Sequence, residues 1–340
     1  MGLHGRHELG QRGGRKNSPG AYLYVPEIGW IAISIYYAAI ILLFGGWLKS
    51  TPVKLFTAVV FAAVAALYLI RLETTHSETS LTILPLNGGK AIFAASPKRT
   101  DDLLIDCGNA QAAESTLKEF LRAQGVNHLP QLILTTGEVR NSGGVTNLDQ
   151  MFAIGNLWTS PAGVHSSRYQ ESIATFEHPT DRHHLAKRGD TIGAWSVLYP
   201  DVKESTAVSR ADDNALVLKA TINHTRILLL SDLNRAGQDN LLILATTKEL
   251  HADIVITGLP SGGEPLCHDL ILAIQPQAIV IVDSEFPAQR RASRSLHERL
   301  AGQNVPVIYT RDHGALTLLI EQNNWQLSAP DGTSIQVPQK

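Results

Sequence analysis

The stretch Leu132-Ile133-Leu134-Thr135-Thr136-Gly137-Glu138-Val139-Arg140-Asn141-Ser142-Gly143-Gly144 decides how the rest of the chain is read. It opens as a short apolar strand and breaks off at once into a polar, Gly-containing turn. Gly143 and Gly144 supply the backbone freedom such a turn needs before a helix begins. A sharp turn after a strand aims alternate side chains into one cleft.

Working outward, short β-rich runs alternate with helical ones. Residues 81–84, 91–95 and 103–106 precede the central stretch as strands, and 112–123 is an amphipathic helix with Leu117, Phe120 and Leu121 on one face. Further strands are expected at 195–199, 215–220, 227–230, 254–257, 278–282, 307–310 and 316–320. Helices are expected at 238–247, 268–274 and 293–300. Such a mixture over about 250 residues is a layered α/β architecture. Residues 163–189 are polar and read as a long irregular surface connection. They contain His178-Pro179-Thr180-Asp181-Arg182-His183-His184, either a solvated loop or a replacement metal site.

The N-terminal portion differs. Residues 1–20 are Gly-rich and basic and read as a flexible tail. Residues 28–48 then run without a charge, long enough at about 1.5 Å per residue to match a bilayer core. A second apolar run, 55–70, would span if Lys54 and Arg71 snorkel. The expectation is a pair of transmembrane helices within 28–72; the basic tail favours an inside N-terminus, while two lysines in the connecting loop leave the side of the C-terminal domain open. Membrane lipid is then a partner.

Composition bounds the rest. The 340 residues are 44% apolar and 18% charged, with a formal net charge of −2. The charged share is below the usual ~25%. The near-neutral balance excludes a global field attracting nucleic acid, so any basic surface must be local. Two distant cysteines, Cys107 and Cys267, form neither a disulfide framework nor a CxxC metal pattern.

Four ordered segments carry a family resemblance. Leu103-Leu104-Ile105-Asp106-Cys107-Gly108 is similar to the LiDtG strand end of the metallo-beta-lactamase superfamily, and the central stretch lies where that family has THxDxDHxGG. Asp213-Asn214-Ala215-Leu216-Val217-Leu218, followed by Ser231-Asp232-Leu233, resembles the NDnSlVl and fLltGDl strands of ComEC-type competence and DNA-internalisation membrane proteins. Ala252-Asp253-Ile254-Val255 and Thr310-Arg311-Asp312-His313-Gly314-Ala315 resemble the segment before the family's HHG and its closing strand. The resemblance implies a four-layer αββα sandwich over 80–325, preceded by the two membrane helices and followed by a C-terminal tail, 326–340. It also implies a multi-pass place in the bacterial inner membrane and a role in DNA uptake. The partners implied are single-stranded DNA and a channel-forming ComEC-like protein or further copies of the chain.

Measured against that family, the metal centre is degenerate. A two-metal hydrolase needs imidazoles and carboxylates converging from several strand ends to hold ions that activate water. The matching positions here are Thr136, Glu138, Arg140 and Asn141, so both histidines are gone and a permanent cation stands where a carboxylate belongs. The late HHG segment has become Leu259-Pro260-Ser261, and the turn Pro85-Leu86-Asn87-Gly88-Gly89-Lys90 lacks both of the family's aspartates. Asp232 is left as a lone candidate ligand. Arg140 and Glu138 are expected to pair with each other or with Asp232. The primary expectation is therefore a cofactor-free pseudoenzyme serving binding or scaffolding. The alternative is a Zn- or Mn-dependent hydrolase or nuclease with substituted ligands. Arg290, Arg291 and Arg294 are the candidate phosphate-backbone contacts.

Overall fold

Ile227 and Leu229 pack into one hydrophobic cluster while Leu228 and Leu230 pack into another, the period of two that a buried strand imposes. Leu103 and Ile105 do the same against Leu104. Strands apolar on both faces must be covered on both, and that requirement builds four layers.

The structure, a computed structural model, describes residues 30–44, 61, 62, 64, 79–97, 99–162, 166–177, 181–201, 211–322 and 324–338. In chain order the strands are β1 (Thr79–Leu86), β2 (Gly89–Ala95), β3 (Leu103–Ile105), β4 (Gln131–Leu134), β5 (Asn156–Thr159), β6 (His183–Leu185), β7 (Thr191–Ile192) and β8 (Trp195–Tyr199). They continue as β9 (Val217–Ile222), β10 (Thr225–Ser231), β11 (Ile254–Gly258), β12 (Ala278–Val282), β13 (Val307–Tyr309), β14 (Leu316–Ile320), β15 (Asn324–Ser328) and β16 (Ser334–Pro338). One sheet has the order β16-β15-β14-β1-β2-β3-β4-β5-β6 and the other β13-β12-β11-β10-β9-β8-β7.

The sheets face each other across Ile83, Ile92 and Ile105 on one side and Val197, Leu218, Ile227 and Ile256 on the other. Leu117, Leu121, Leu148 and Phe152, from the helical segments 110–123 and Val145–Phe152, cover the outer face of the first sheet. Leu241, Leu270, Ile274 and Leu296, from Arg235–Leu244, His268–Ile274 and Arg294–Ala301, cover the second. This is the αββα sandwich that the segment pattern implies.

The expected membrane hairpin is corrected. The described apolar helix, Trp30–Phe44, has 15 residues, short of the ~20 that a bilayer core demands. Among the described residues no helix is long and apolar enough to cross a membrane. Most of the second expected span, 55–70, and the tail 1–20 lie outside the described residues. Elsewhere, 163–189 is not one irregular connection. Helix Ser167–Glu177 buries Tyr169, Ile173 and Phe176, and β6 follows it at the sheet edge. The segment read as a C-terminal tail supplies most of β15 and all of β16, with Leu327 turned into the core beside Trp325.

Candidate functional site

The parallel strands β3, β4, β10 and β11 end together at one rim of the sandwich. There Asp106 and Ser231 take left-handed backbone angles, φ 59° and 55°, which turn the chain sharply off the strand. Two close approaches shape the rim. A Cβ at Gly258 would fall on the Asp232 carboxylate, and one at Gly89 on the Arg140 carbonyl, so both positions require glycine.

Asp232 is the hub. Its Oδ1 accepts from Lys90 Nζ at 2.7 Å, while its Oδ2 accepts from Arg140 Nη2 at 2.9 Å and Asn141 Nδ2 at 2.7 Å. Lys90 also lies 3.3 Å from Asp106 Oδ2, with its side chain only 2% exposed. Asp106 is anchored independently, accepting from the Thr135 N–H at 2.8 Å and Thr135 Oγ1 at 2.7 Å. Burial works against the charge on Asp232, but Lys90 and Arg140 outweigh it and hold the carboxyl below its usual range. Burial likewise opposes the Lys90 charge, and Asp232 with Asp106 raises its pKa in spite of that.

A second tier lies towards the surface. Arg140 Nη1 pairs with Glu138 Oε2 at 2.6 Å, and Ser261 Oγ donates to Glu138 Oε1 at 2.5 Å. Arg140 Nη1 and Arg290 Nη2 each donate to Ser261 Oγ at 3.1 Å. The Leu259 carbonyl accepts from Arg290 Nη1 at 2.9 Å and Arg140 Nη2 at 3.5 Å, and Pro260 beside it is buried. Asp212 Oδ2 accepts from the Ser261 N–H at 2.5 Å and lies 3.7 Å from Arg140 Nη2. Burial, with Asp232 and Glu138 nearby, pushes the Asp212 carboxyl up to about 7. Thr136 is buried, and its Oγ1 sits 3.4 Å from Asn141 Nδ2. The space left between these groups is a cavity of about 10 Å³, lined by Gly88, Gly89, Lys90, Asn141, Asp232 and Ser284 among others.

The structure thus gathers Thr136, Glu138, Arg140, Asn141, Asp232, Leu259 and Pro260 at one rim, and adds Lys90, Asp106, Asp212 and Arg290. The sequence reading missed Asp212, and it missed Lys90. Its only signal is a lysine followed directly by the apolar run Ala91-Ile92-Phe93 of a buried strand. The donor set does not fit a two-metal centre. Two side-chain cations occupy the faces of Asp232 that ions would need, and among the described residues no group of three or more His, Cys, Asp or Glu side chains is placed to hold a metal. Among the described residues, the members of the replacement metal site have other partners. His183 engages Thr159 and Glu177, His184 engages Asn156, and His178 lies outside the described residues.

The three arginines proposed for a phosphate backbone do not act together. Arg290 turns into the site. Arg291 pairs with Glu285 at 2.7 Å, and Arg294 pairs with Glu298 at 2.7 Å on an exposed helix face.

The chain is thus an αββα sandwich with an ion network closing one rim. Its fold is similar to solved structures of metallo-beta-lactamases and related metal-dependent hydrolases. A metal-dependent hydrolase of the beta-lactamase superfamily covers 76% of this chain and 99% of its own, at 8% identity and a TM-score of 0.47. A metallo-hydrolase from the archaeon Ignicoccus hospitalis covers 72% and 100%, at 10% identity and 0.46. A diphosphatase from the PhnP family covers 72% and 98%, at 10% identity and 0.41. No protein-family model matches the chain, and no curated protein matches it. These findings correct the ComEC resemblance. No family model supports it, and among the described residues no helix is long and apolar enough to be the membrane span that would single out ComEC. With it go the multi-pass inner-membrane location, the lipid, single-stranded DNA and channel partners, and the role in DNA uptake. For the alternative of a Zn or Mn hydrolase with substituted ligands, no group of three or more His, Cys, Asp or Glu side chains placed to hold the metal is found among the described residues.

Proposed function

We propose that the domain is a metal-independent, non-hydrolytic form of this sandwich, kept as a rigid platform whose former reaction cleft is locked by its own ions. The observation that carries this reading is the state of Asp232, whose two oxygens are taken by Lys90, Arg140 and Asn141. A metal ion at this carboxylate would have to approach two permanent cations. The hydroxide it would generate would then lack both room and a base, because the remaining cavity holds about one water.

The test is elemental analysis of the purified full chain for zinc, manganese and iron, with assays on a bis-aryl phosphodiester and a β-lactam in added metal. Substoichiometric metal and no chelator-sensitive turnover are expected. One bound metal per chain, with hydrolysis that is lost in Asp232→Ala, would overturn the reading.

A further inference from the structure

At the end of the sandwich away from the ionic rim, the two sheets part around a cavity of about 430 Å³. Its floor is the open end of the inter-sheet core. Ala94 and Leu103 line it from the first sheet, and Trp195 and Ile222 line it from the second. Packed sheets stand about 10 Å apart, a gap that two facing layers of side chains fill. Here Ala94 reaches only to Cβ, and Gly193 and Ala194 form the turn between β7 and β8. Part of the gap is therefore left open beside Trp195.

The mouth of the cavity is polar. Ser96, Thr100 and Asp101 stand on it from the β2–β3 turn, Gln131 from the start of β4 and Asn223 from the β9–β10 turn. The β2–β3 turn is fixed from within. Asp102 is buried, and its Oδ1 accepts from the Ser96 N–H at 2.8 Å. The Arg99 N–H donates to the Ser96 carbonyl at 3.1 Å, and the Arg99 guanidinium is drawn to the Gly125 carbonyl at 3.0 Å. Asp101 is left exposed at the mouth, with the Thr100 hydroxyl 3.4 Å from its carboxylate. Among the described residues it is the one ionisable group that lines the cavity.

An apolar slot with one carboxylate at its edge selects by shape and by sign. The floor takes a ring, and the carboxylate favours a cation over an anion. We propose that this cavity is a binding site for a small, flat, mainly apolar molecule carrying one amine, with its ring against Trp195 between the sheets and its ammonium at Asp101. The ionic rim takes no part in it, so the inference stands apart from the metal-independent reading.

The experiment titrates the full chain with 1-naphthylmethylamine, read by calorimetry, and with 1-naphthylacetate as the probe of reversed charge. The amine should bind with a Kd on the order of 0.1–1 mM, in keeping with its size. The acetate should bind at least about fivefold more weakly. Asp101→Asn should weaken the amine about two- to fivefold and leave the acetate no weaker. Ala194→Trp, at an exposed position on the edge of the cavity, should abolish binding of both probes. Both variants change exposed residues and should melt within about 2 °C of wild type, which separates lost binding from lost fold. If Ala194→Trp does not fold, Asp101→Asn carries the test alone. Three results overturn the proposal: no amine binding in the millimolar range, equal affinity for the two probes, or amine binding that a folded variant leaves unchanged.

Discussion

The two ends of this sandwich make opposite use of their residues. Where β3, β4, β10 and β11 finish, Lys90, Arg140 and Arg290 meet Asp106, Glu138, Asp212 and Asp232, and about 10 Å³ is left open. Where β3 and β4 begin, a cavity of about 430 Å³ opens, lined by Thr79, Ala95, Leu103, Gln131, Trp195 and Ile222 among others, with Asp101 as its ionisable group. Charge and space have separated. In a hydrolase of this architecture the two coincide, because ions and water must share the cleft with substrate. Here the charged rim is internally satisfied, so its ions act on stability, and the cavity of about 430 Å³ at the other end has Asp101 as its one ionisable lining residue among the described residues.

The largest test of that contrast is Asp232→Ala. It strands Lys90 and Arg140 in a buried setting, and removing one partner of a buried ion pair costs about 3–5 kcal/mol. For a body of this size that is a fall of about 6–20 °C in Tm. Asp101→Ala at the open end should move Tm by no more than about 2 °C. Equal effects at the two ends would mean that the ionic rim is not a lock.

Next comes the pH dependence of Asp212. In the folded chain its carboxyl titrates at about 7, against about 3.9 when unfolded. Below about pH 4 both states hold the proton, and the residue contributes nothing. From there to about 7 the unfolded state ionises first, so stability falls as pH rises, and above 7 the loss is complete. Protonation also makes chemical sense at this rim, because it brings three cations and four carboxyl groups into balance. Asp212→Asn keeps an acceptor for the Ser261 N–H and removes the titration. It should match wild type near pH 4 and exceed it at pH 8 by on the order of 1–2 kcal/mol, measured by urea denaturation at each pH. A difference that does not change with pH would break the assignment.

The sandwich was legible because its strands are apolar on both faces and its turns are polar, as at 227–230 and 132–144. Even β15 carried the signal, since Asn324-Trp325-Gln326-Leu327-Ser328 alternates cleanly; reading it as a tail overlooked a period of two. The helix Ser167–Glu177 was obscured because its apolar stripe is only Tyr169, Ile173 and Phe176 among polar neighbours. Of the 28–48 run, the described part is the helix Trp30–Phe44. At the site, the pairing of Arg140 with Glu138 and Asp232 could be read from the residue types, but the part played by Lys90 could not. A lysine after Asn87-Gly88-Gly89 reads as a solvated hairpin charge. It is buried only because Asp232, 142 residues away, comes to meet it.

The smallest expected effects separate three arginines that sequence proximity had grouped. Arg290 belongs to the ionic rim, because its guanidinium ties the Leu259 carbonyl and Ser261 Oγ to the loop that carries it. Replacing it by alanine should cost about 1–2 kcal/mol through lost charged hydrogen bonds to partly buried acceptors. Arg291 is half in solvent, held by Glu285 and lying over the Phe286 ring, so Arg291→Ala should cost less. Arg294 is 91% exposed, and its pairing with Glu298 is an ordinary helical i,i+4 contact. Arg294→Ala should leave Tm within about 2 °C of wild type. The order Arg290, Arg291, Arg294 in denaturation midpoints is what the inward, intermediate and outward placements demand. Equal losses at all three would mean that they work as one surface, and Arg290 would then have to be removed from the ion network at the rim.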